Sequence, residues 1–570
     1  MLTPQEINLP KKFQNWEGKQ AEIIEDIVRS NEPLYLLDAP TGSGKSVIGI
    51  ASSYIWRTNW LTSKILSGEE TEGLPKRVIY VTKTKQLQDQ LLHDFPNSKT
   101  IKGRKNFRCL LAPEKFPEFS AEDCPKRGKE KDSYCKFNCP YLLAKNEALN
   151  AEIAVLNESY YLSEINGPGL FRNADFVILD EVDSIESTLM NHISIFVSIS
   201  ILKDFGLQAP QNCDSWKEWI RWWCRTDYQR TIVTHSMKSN IDMFEENWSD
   251  VEIKFNKKHL HLNNFNDRLE TFMKEILFQL NTLTTNSPPK SLEDIIQAST
   301  SRETPFIIQE RKDKKDEITG WELKPVTVSR FAKRKLWCHG IRFLGMSGTI
   351  LAPSVLAREL GINQYDYKQI PSPFPTKHRP IYYWPVTNMR KTSIDNGIAL
   401  PNMLRALGKI INKYPNTKML IHAASYLVAS AIEYEFGSNP RFITHNTDNR
   451  ITQLDKFKES PEPLFMVSPS FDRGVDLPDD QCRCVVICKI PYLNLGDKQI
   501  AARIKAPGGD QWYVFKAIQT VMQMTGRGVR NKFDYCDTYI LDAQFNSLLA
   551  RTRQYIPEWW MESIKRIEEL

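Results

Sequence analysis

The chain has 570 residues, enough for three or four domains, and its 41% apolar and 25% charged content is that of an ordinary folded protein. No apolar run reaches the length a bilayer span needs, so no membrane association is expected. A net charge of +6 is a mild bias, compatible with nucleic acid without being diagnostic of it.

The N-terminal MLTPQEINLPKKF carries no apolar core of a secretion signal, so a cytoplasmic protein is expected, or a nucleoid or nuclear one. In that setting clustered cysteines are metal ligands or redox groups more often than disulfides. LYLLDAP then reads as a strand, followed by a Gly-rich turn and the helical pattern of KSVIGIASSYIW. The turn is APTGSGKS, Ala39 to Ser46. Its backbone N–H groups, from Thr41, Gly42, Ser43 and Gly44 onward, can surround phosphate oxygens at a helix N-terminus. Lys45 would reach the β- and γ-phosphates of ATP, and the Ser46 hydroxyl would ligate Mg²⁺. Ala39 stands where the strict pattern has Gly.

RVIYVT is a second buried strand, with Thr82 at its end and Thr84 just beyond, and KQLQDQLLHDF is a helix. A basic, poorly periodic stretch follows, holding Cys109, Cys124, Cys135 and Cys139 in a C-x14-C-x10-C-x3-C spacing. Structural zinc sites usually present close pairs, and only Cys135 and Cys139 form one. Four thiolates also suit an iron–sulfur cluster, and spacing alone leaves the two metals comparable. ADFVILDEVD is a third strand ending in carboxylates, where open α/β sheets collect ligands. Asp180 is placed to bind Mg²⁺, and Glu181 to activate a water.

From about Ser184 to Arg330 the pattern becomes mostly helical. Trp216, Trp219 and Trp223 fall at helical spacing, as do Phe265, Leu269, Phe272, Ile276 and Leu280. These stripes read as packed helix faces, and FIIQERKDKKDEITGWELKPV as a hairpin with a charged turn. The second half returns to strands alternating with helices: TKMLIHAA, RFITHN, LFMVSPS, RCVVICKIPY and CDTYILDA. Two parallel sheets, one in each half, are expected. QMTGRGVR ends a helical segment and offers Gln523, Arg527 and Arg530, and arginines from a neighbouring domain can stabilise phosphoryl transfer.

In this order the motifs resemble the iron–sulfur DNA helicases of superfamily two, the XPD and DinG group. EGKQAEII is similar to the segment before the phosphate loop, which makes Gln20 an adenine reader. YVTKTKQLQDQL resembles motif Ia, implying that Thr82 and Thr84 lie along the DNA backbone. DEVD stands where the family usually has DEAH, so Val182 and Asp183 depart from it. MSGTILAP, with Ser347 and Thr349, resembles the motif that couples ATP state to DNA grip. SPSFDRGVDLPDD resembles motif V, with Arg473 where Glu is usual and Asp476 retained. The sequence flanking the four cysteines is similar to the family's 4Fe–4S segment, which favours a cluster over zinc.

The resemblance implies two RecA-like domains with an iron–sulfur module and an arch-like insertion in the first. The expected boundaries are 1–100, 146–187 and 336–355 for the first motor domain, 101–145 for the cluster module, 188–335 for the arch and 356–570 for the second motor domain. It also implies an ATP-dependent helicase moving 5′ to 3′ on single-stranded DNA and opening forked duplexes. Arg104 and Lys105 beside the cluster would meet phosphates. Two other readings stay open: a nucleic-acid-binding regulator using ATP as a conformational switch, and an RNA-directed helicase. A loading or repair partner is not identified by the sequence.

Overall fold

The computed structural model describes residues 2–68, 77–83, 85–110, 118–124, 137–242, 250–283, 305–446, 449–469, 477–526, 528–529, 531 and 533–570. Thr84, Cys135, Arg473, Asp476, Arg527 and Arg530 lie outside these residues.

Fully apolar runs become strands with both faces covered, as parallel sheets require. The first sheet holds β1 (Leu34–Asp38), β2 (Val78–Thr82), β3 (Ser98–Thr100), β4 (Ile153–Asn157) and β5 (Ala174–Asp180). The chain leaves it for a small antiparallel sheet of β6 (Ile195–Ser198), β7 (Phe306–Lys312) and β8 (Ile318–Pro325), in the order β6-β8-β7. It returns through β9 (Gly340–Ser347) and β10 (Asp366–Gln369). The order of the seven-stranded sheet is β10-β1-β9-β5-β2-β4-β3, and every pairing is parallel. Its outer strand β10 comes from beyond residue 355.

The second sheet is also seven-stranded and wholly parallel, in the order β13-β14-β12-β15-β16-β11-β17. Its strands are β11 (Ile381–Thr387), β12 (Met419–His422), β13 (Phe442–Thr444), β14 (Phe465–Ser468), β15 (Cys484–Ile487), β16 (Asp537–Asp542) and β17 (Ile564–Arg566). Two seven-stranded α/β lobes are thus the frame of the molecule.

The insertion contains the long helices Trp216–Asp242 and Asp250–Leu283 as well as the small sheet. The expected stripe of Phe265, Leu269, Phe272, Ile276 and Leu280 is buried throughout, and Trp219 is fully buried. The Trp219 indole donates to Cys213 O at 2.9 Å, which satisfies its polar edge. Phe272 meets Phe306 with ring centroids 5.3 Å apart, and the insertion shares one continuous core with the first lobe. No helix among the described residues is long and apolar enough to cross a membrane.

Candidate active site

Strand order brings the site together. β9 lies between β1 and β5, so the loops leaving these three strands emerge side by side at their C-terminal ends. In register, Asp38 of β1 sits opposite Ser347 of β9, and Asp180 of β5 opposite Met346. The phosphate loop, the acidic turn and the Ser347–Thr349 turn therefore share one edge.

Lys45 opens helix α2 (Lys45–Leu66), and its Nζ donates to Ala39 O at 3.1 Å across the loop. Gly42 and Gly44 have φ of 83° and 76°, a region that favours glycine. A Cβ on Gly44 would fall 2.2 Å from Gln20 Nε2, so the glycine also makes room for that side chain. Gln20 begins helix α1 (Gln20–Arg29), is buried, and has its Nε2 3.5 Å from Ser43 O. The Ser43 hydroxyl donates to Pro40 O at 2.7 Å and braces the turn.

On the acidic side, Tyr80 Oη donates to Asp180 Oδ2 at 3.0 Å and lies 3.4 Å from Ser46 Oγ. Burial, reinforced by the charge of Asp180, raises the pKa of the Tyr80 phenol and keeps its proton in place. Burial also pushes the Asp180 carboxyl up, against the opposing charge of Lys45. Asp180 Oδ1 is buried without a hydrogen-bond partner, an arrangement that fits a hard cation shared with Ser46. Glu181 has φ 60° and ψ 46°, a left-handed conformation costly for a residue with a Cβ.

Asp183 is the centre of a network absent from the sequence expectations. It is fully buried, and its carboxylate accepts from Ser347 Oγ at 2.8 Å, Thr349 Oγ1 at 3.2 Å and Gln523 Nε2 at 3.2 Å. Gln523 also donates to Thr349 Oγ1 at 2.9 Å, and Gln519 Nε2 to Thr349 O at 2.8 Å. Gln519 and Gln523 belong to the Gly509–Thr525 helix of the second lobe, so this network crosses the cleft.

Two further residues touch the loop. A Cβ on Gly42 would lie 2.1 Å from the ring of Phe374, so the phenyl group rests directly on the loop. Asp38, at the end of β1, accepts from Leu351 N at 3.0 Å and Gln369 Nε2 at 3.2 Å. Burial raises its carboxyl to about 6.

Elsewhere Thr82 is fully buried and its hydroxyl has no hydrogen-bond partner, which places it inside the lobe rather than on its surface. Arg104 stacks over Tyr141 at 4.3 Å, and Lys105 pairs with Glu122 at 3.4 Å. Cys109, Cys124 and Cys139 are half-buried. A short antiparallel bridge joins Arg108 to Ser120, with Cys109 N donating to Phe119 O at 2.7 Å. Phe107 packs edge-on against Tyr141 at 5.6 Å, which sets the Cys109 segment beside the one opened by Cys139. Among the described residues no three His, Cys, Asp or Glu side chains gather as a metal-binding group. Of the remaining cysteines, Cys482, Cys484, Cys488 and Cys536 are buried, as apolar surroundings predict, whereas Cys224 and Cys338 are exposed.

A phosphate loop and an acidic turn in one parallel-sheet lobe, contacted by a helix of a second, are the marks of a two-lobe RecA-like architecture. The helicase C-terminal domain family matches residues 407–563. The ATP-dependent DNA helicase CHL1 of Saccharomyces cerevisiae is 29% identical over 117 residues, a stretch covering 18% of this chain and 13% of the yeast protein. The ATP-dependent DNA helicase YoaA of Haemophilus influenzae is 22% identical over 91% of this chain and 89% of its own length. A solved XPD helicase shares the fold with a TM-score of 0.55 at 15% identity, over 96% of this chain and 98% of its own. Over most of its length the chain is thus similar to XPD/DinG-like helicases, and it shares their two-lobe fold.

Proposed function

We infer that the protein is an ATP-driven motor that moves 5′ to 3′ along single-stranded DNA and separates forked duplexes. The observation carrying this reading is the cross-lobe network, in which Gln523 of the second lobe contacts Asp183 and Thr349 beside the phosphate loop. Lys45 and the loop amides would hold the ATP phosphates, and Gln20 the base. Ser46 and Asp180 would hold Mg²⁺, which when bound offsets phosphate charge. Glu181 would orient and deprotonate the attacking water. Arg527 and Arg530, with Asp476, would complete the site from the second lobe and tie hydrolysis to lobe closure. Ser347 and Thr349 would relay that closure to the DNA grip, with Thr84, Arg104 and Lys105 assigned to the DNA path, while the buried Thr82 is left out of it.

We read Cys109, Cys124, Cys135 and Cys139 as the ligands of a 4Fe–4S cluster. All-thiolate donor chemistry and the backbone bridge between Arg108 and Ser120 beside Cys109 support that reading. Iron and inorganic sulfide in anaerobically purified protein test it, and stoichiometric zinc in a colourless preparation would overturn it.

The motor reading is tested with Lys45→Ala and fork substrates carrying one 5′ or one 3′ tail. Wild type should hydrolyse ATP in response to single-stranded DNA and open only the 5′-tailed fork, while Lys45→Ala should do neither. ATPase without strand separation would favour the switch, and stimulation by RNA alone would redirect the substrate.

A further inference from the structure

The Gly509–Thr525 helix offers three polar residues to the first lobe at positions i, i+3 and i+7: Lys516, Gln519 and Gln523. Lys516 lies a full two turns before the QMTGRGVR segment's first residue. Its Nζ donates to Asp183 O at 3.2 Å and lies 3.4 Å from Glu186 Oε2. Glu186 follows the acidic turn on the Ile185–Ile193 helix, and its carboxylate is only 4% exposed.

Around this contact sits a charge cluster spanning the lobes. Arg503 of the second lobe bonds both Glu186 and Glu359 of the first, and stacks over Trp512 at 3.9 Å. Arg358, which is more exposed, lies 3.5 Å from Glu359 Oε1. Arg503 and Lys516 both face the buried Glu186 carboxylate, so removing Lys516 withdraws positive charge from it.

The location gives this contact a mechanical meaning. The turn Val182–Ser184 follows the left-handed Glu181 and has no side-chain cap on its first amides. Ser347, Thr349 and Gln523 hold the Asp183 carboxylate, whereas Lys516 holds the carbonyl of the same residue. The peptide two residues beyond Glu181 is therefore clamped from the second lobe.

We propose that Lys516 is a positioning residue for ATP hydrolysis, acting through Asp183 O and Glu186 to hold the Glu181 turn in its strained shape while the second lobe is seated. This rests on the motor reading above. Misplacement of a catalytic group by about 1 Å can cost roughly 100-fold in rate.

The test uses the full chain carrying Lys516→Met or Lys516→Arg, with ATP turnover followed on single-stranded DNA and thermal unfolding measured alongside. Lys516→Met should lose roughly 10- to 100-fold in kcat with KM for ATP within about twofold, and Lys516→Arg should recover most of the loss. Wild-type kcat in Lys516→Met, a loss carried by KM, or a defect that Lys516→Arg does not repair would overturn the assignment. Should Lys516→Met unfold below the assay temperature, Lys516→Gln replaces it, because it keeps a donor while dropping the charge. A wild type without DNA-stimulated turnover would instead bring down the motor reading, an outcome distinct from active wild type matched by an active Lys516→Met.

Discussion

Asp183 accepts hydrogen bonds from two hydroxyls of the first lobe and one amide of the second, with no solvent to take its place. Asp183→Ala would remove the acceptor that Ser347, Thr349 and Gln523 share, at a stability cost of about 1–3 kcal/mol. DNA-stimulated ATP turnover should fall about tenfold or more, while binding of a fluorescent ATP analogue stays within about twofold. Unchanged turnover would show that the network is passive. The glycine turn between β1 and α2 was legible because Gly42, Gly44, Lys45 and Ser46 are neighbours in sequence. Asp183 was not, because its partners lie 164 to 340 positions away and its residue type departs from the DEAH pattern. Tyr80 was hidden for another reason: within VIYVT it reads only as one more buried residue, yet its hydroxyl is what reaches Asp180.

Among the elements, period decided what could be read. Strands such as VIYVT and ADFVILD are buried at every position, so an unbroken apolar run announced them. β10, DYKQ, has no fully buried residue and forms the sheet edge beside β1, so nothing in its composition marked it. The insertion was legible as helices because its apolar stripe follows a helical period, and its charged-turn hairpin is β7–β8. The joining of β6 to that hairpin, across more than a hundred residues, had no local signal. Leu269 is fully buried in the core shared by insertion and first lobe. Leu269→Ala should therefore lower unfolding stability by about 2–5 kcal/mol, whereas Tyr228→Ala on the outer face, 78% exposed, should stay within about 0.5 kcal/mol. Equal effects in denaturant titrations would contradict the shared core.

At the scale of the whole molecule, the lobes meet through charge as well as through Gln523. Burial by itself would raise the Glu186 carboxyl, but the charges of Arg503 and then Lys516 outweigh it and hold it at about 2. A carboxyl depressed in the folded state adds stability above its unfolded value, near 4.5, and loses it as pH falls toward 2. Glu186→Gln should thus reduce the acid-side slope of stability between those limits by about 1.4 kcal/mol per pH unit. Parallel slopes for variant and wild type in urea titrations from pH 5 to 3 would refute it. The path of the chain between lobes has a different consequence. After β10 pairs with β1, Ile370 N bonds Asp38 O at 2.9 Å, and Phe374 then rests on Gly42 before β11 begins at Ile381. The tether joining the lobes is thus moored at the phosphate loop itself. On the motor reading proposed above, a load pulling the second lobe backward would tug first on the nucleotide cradle, making ATP capture sensitive to opposing force.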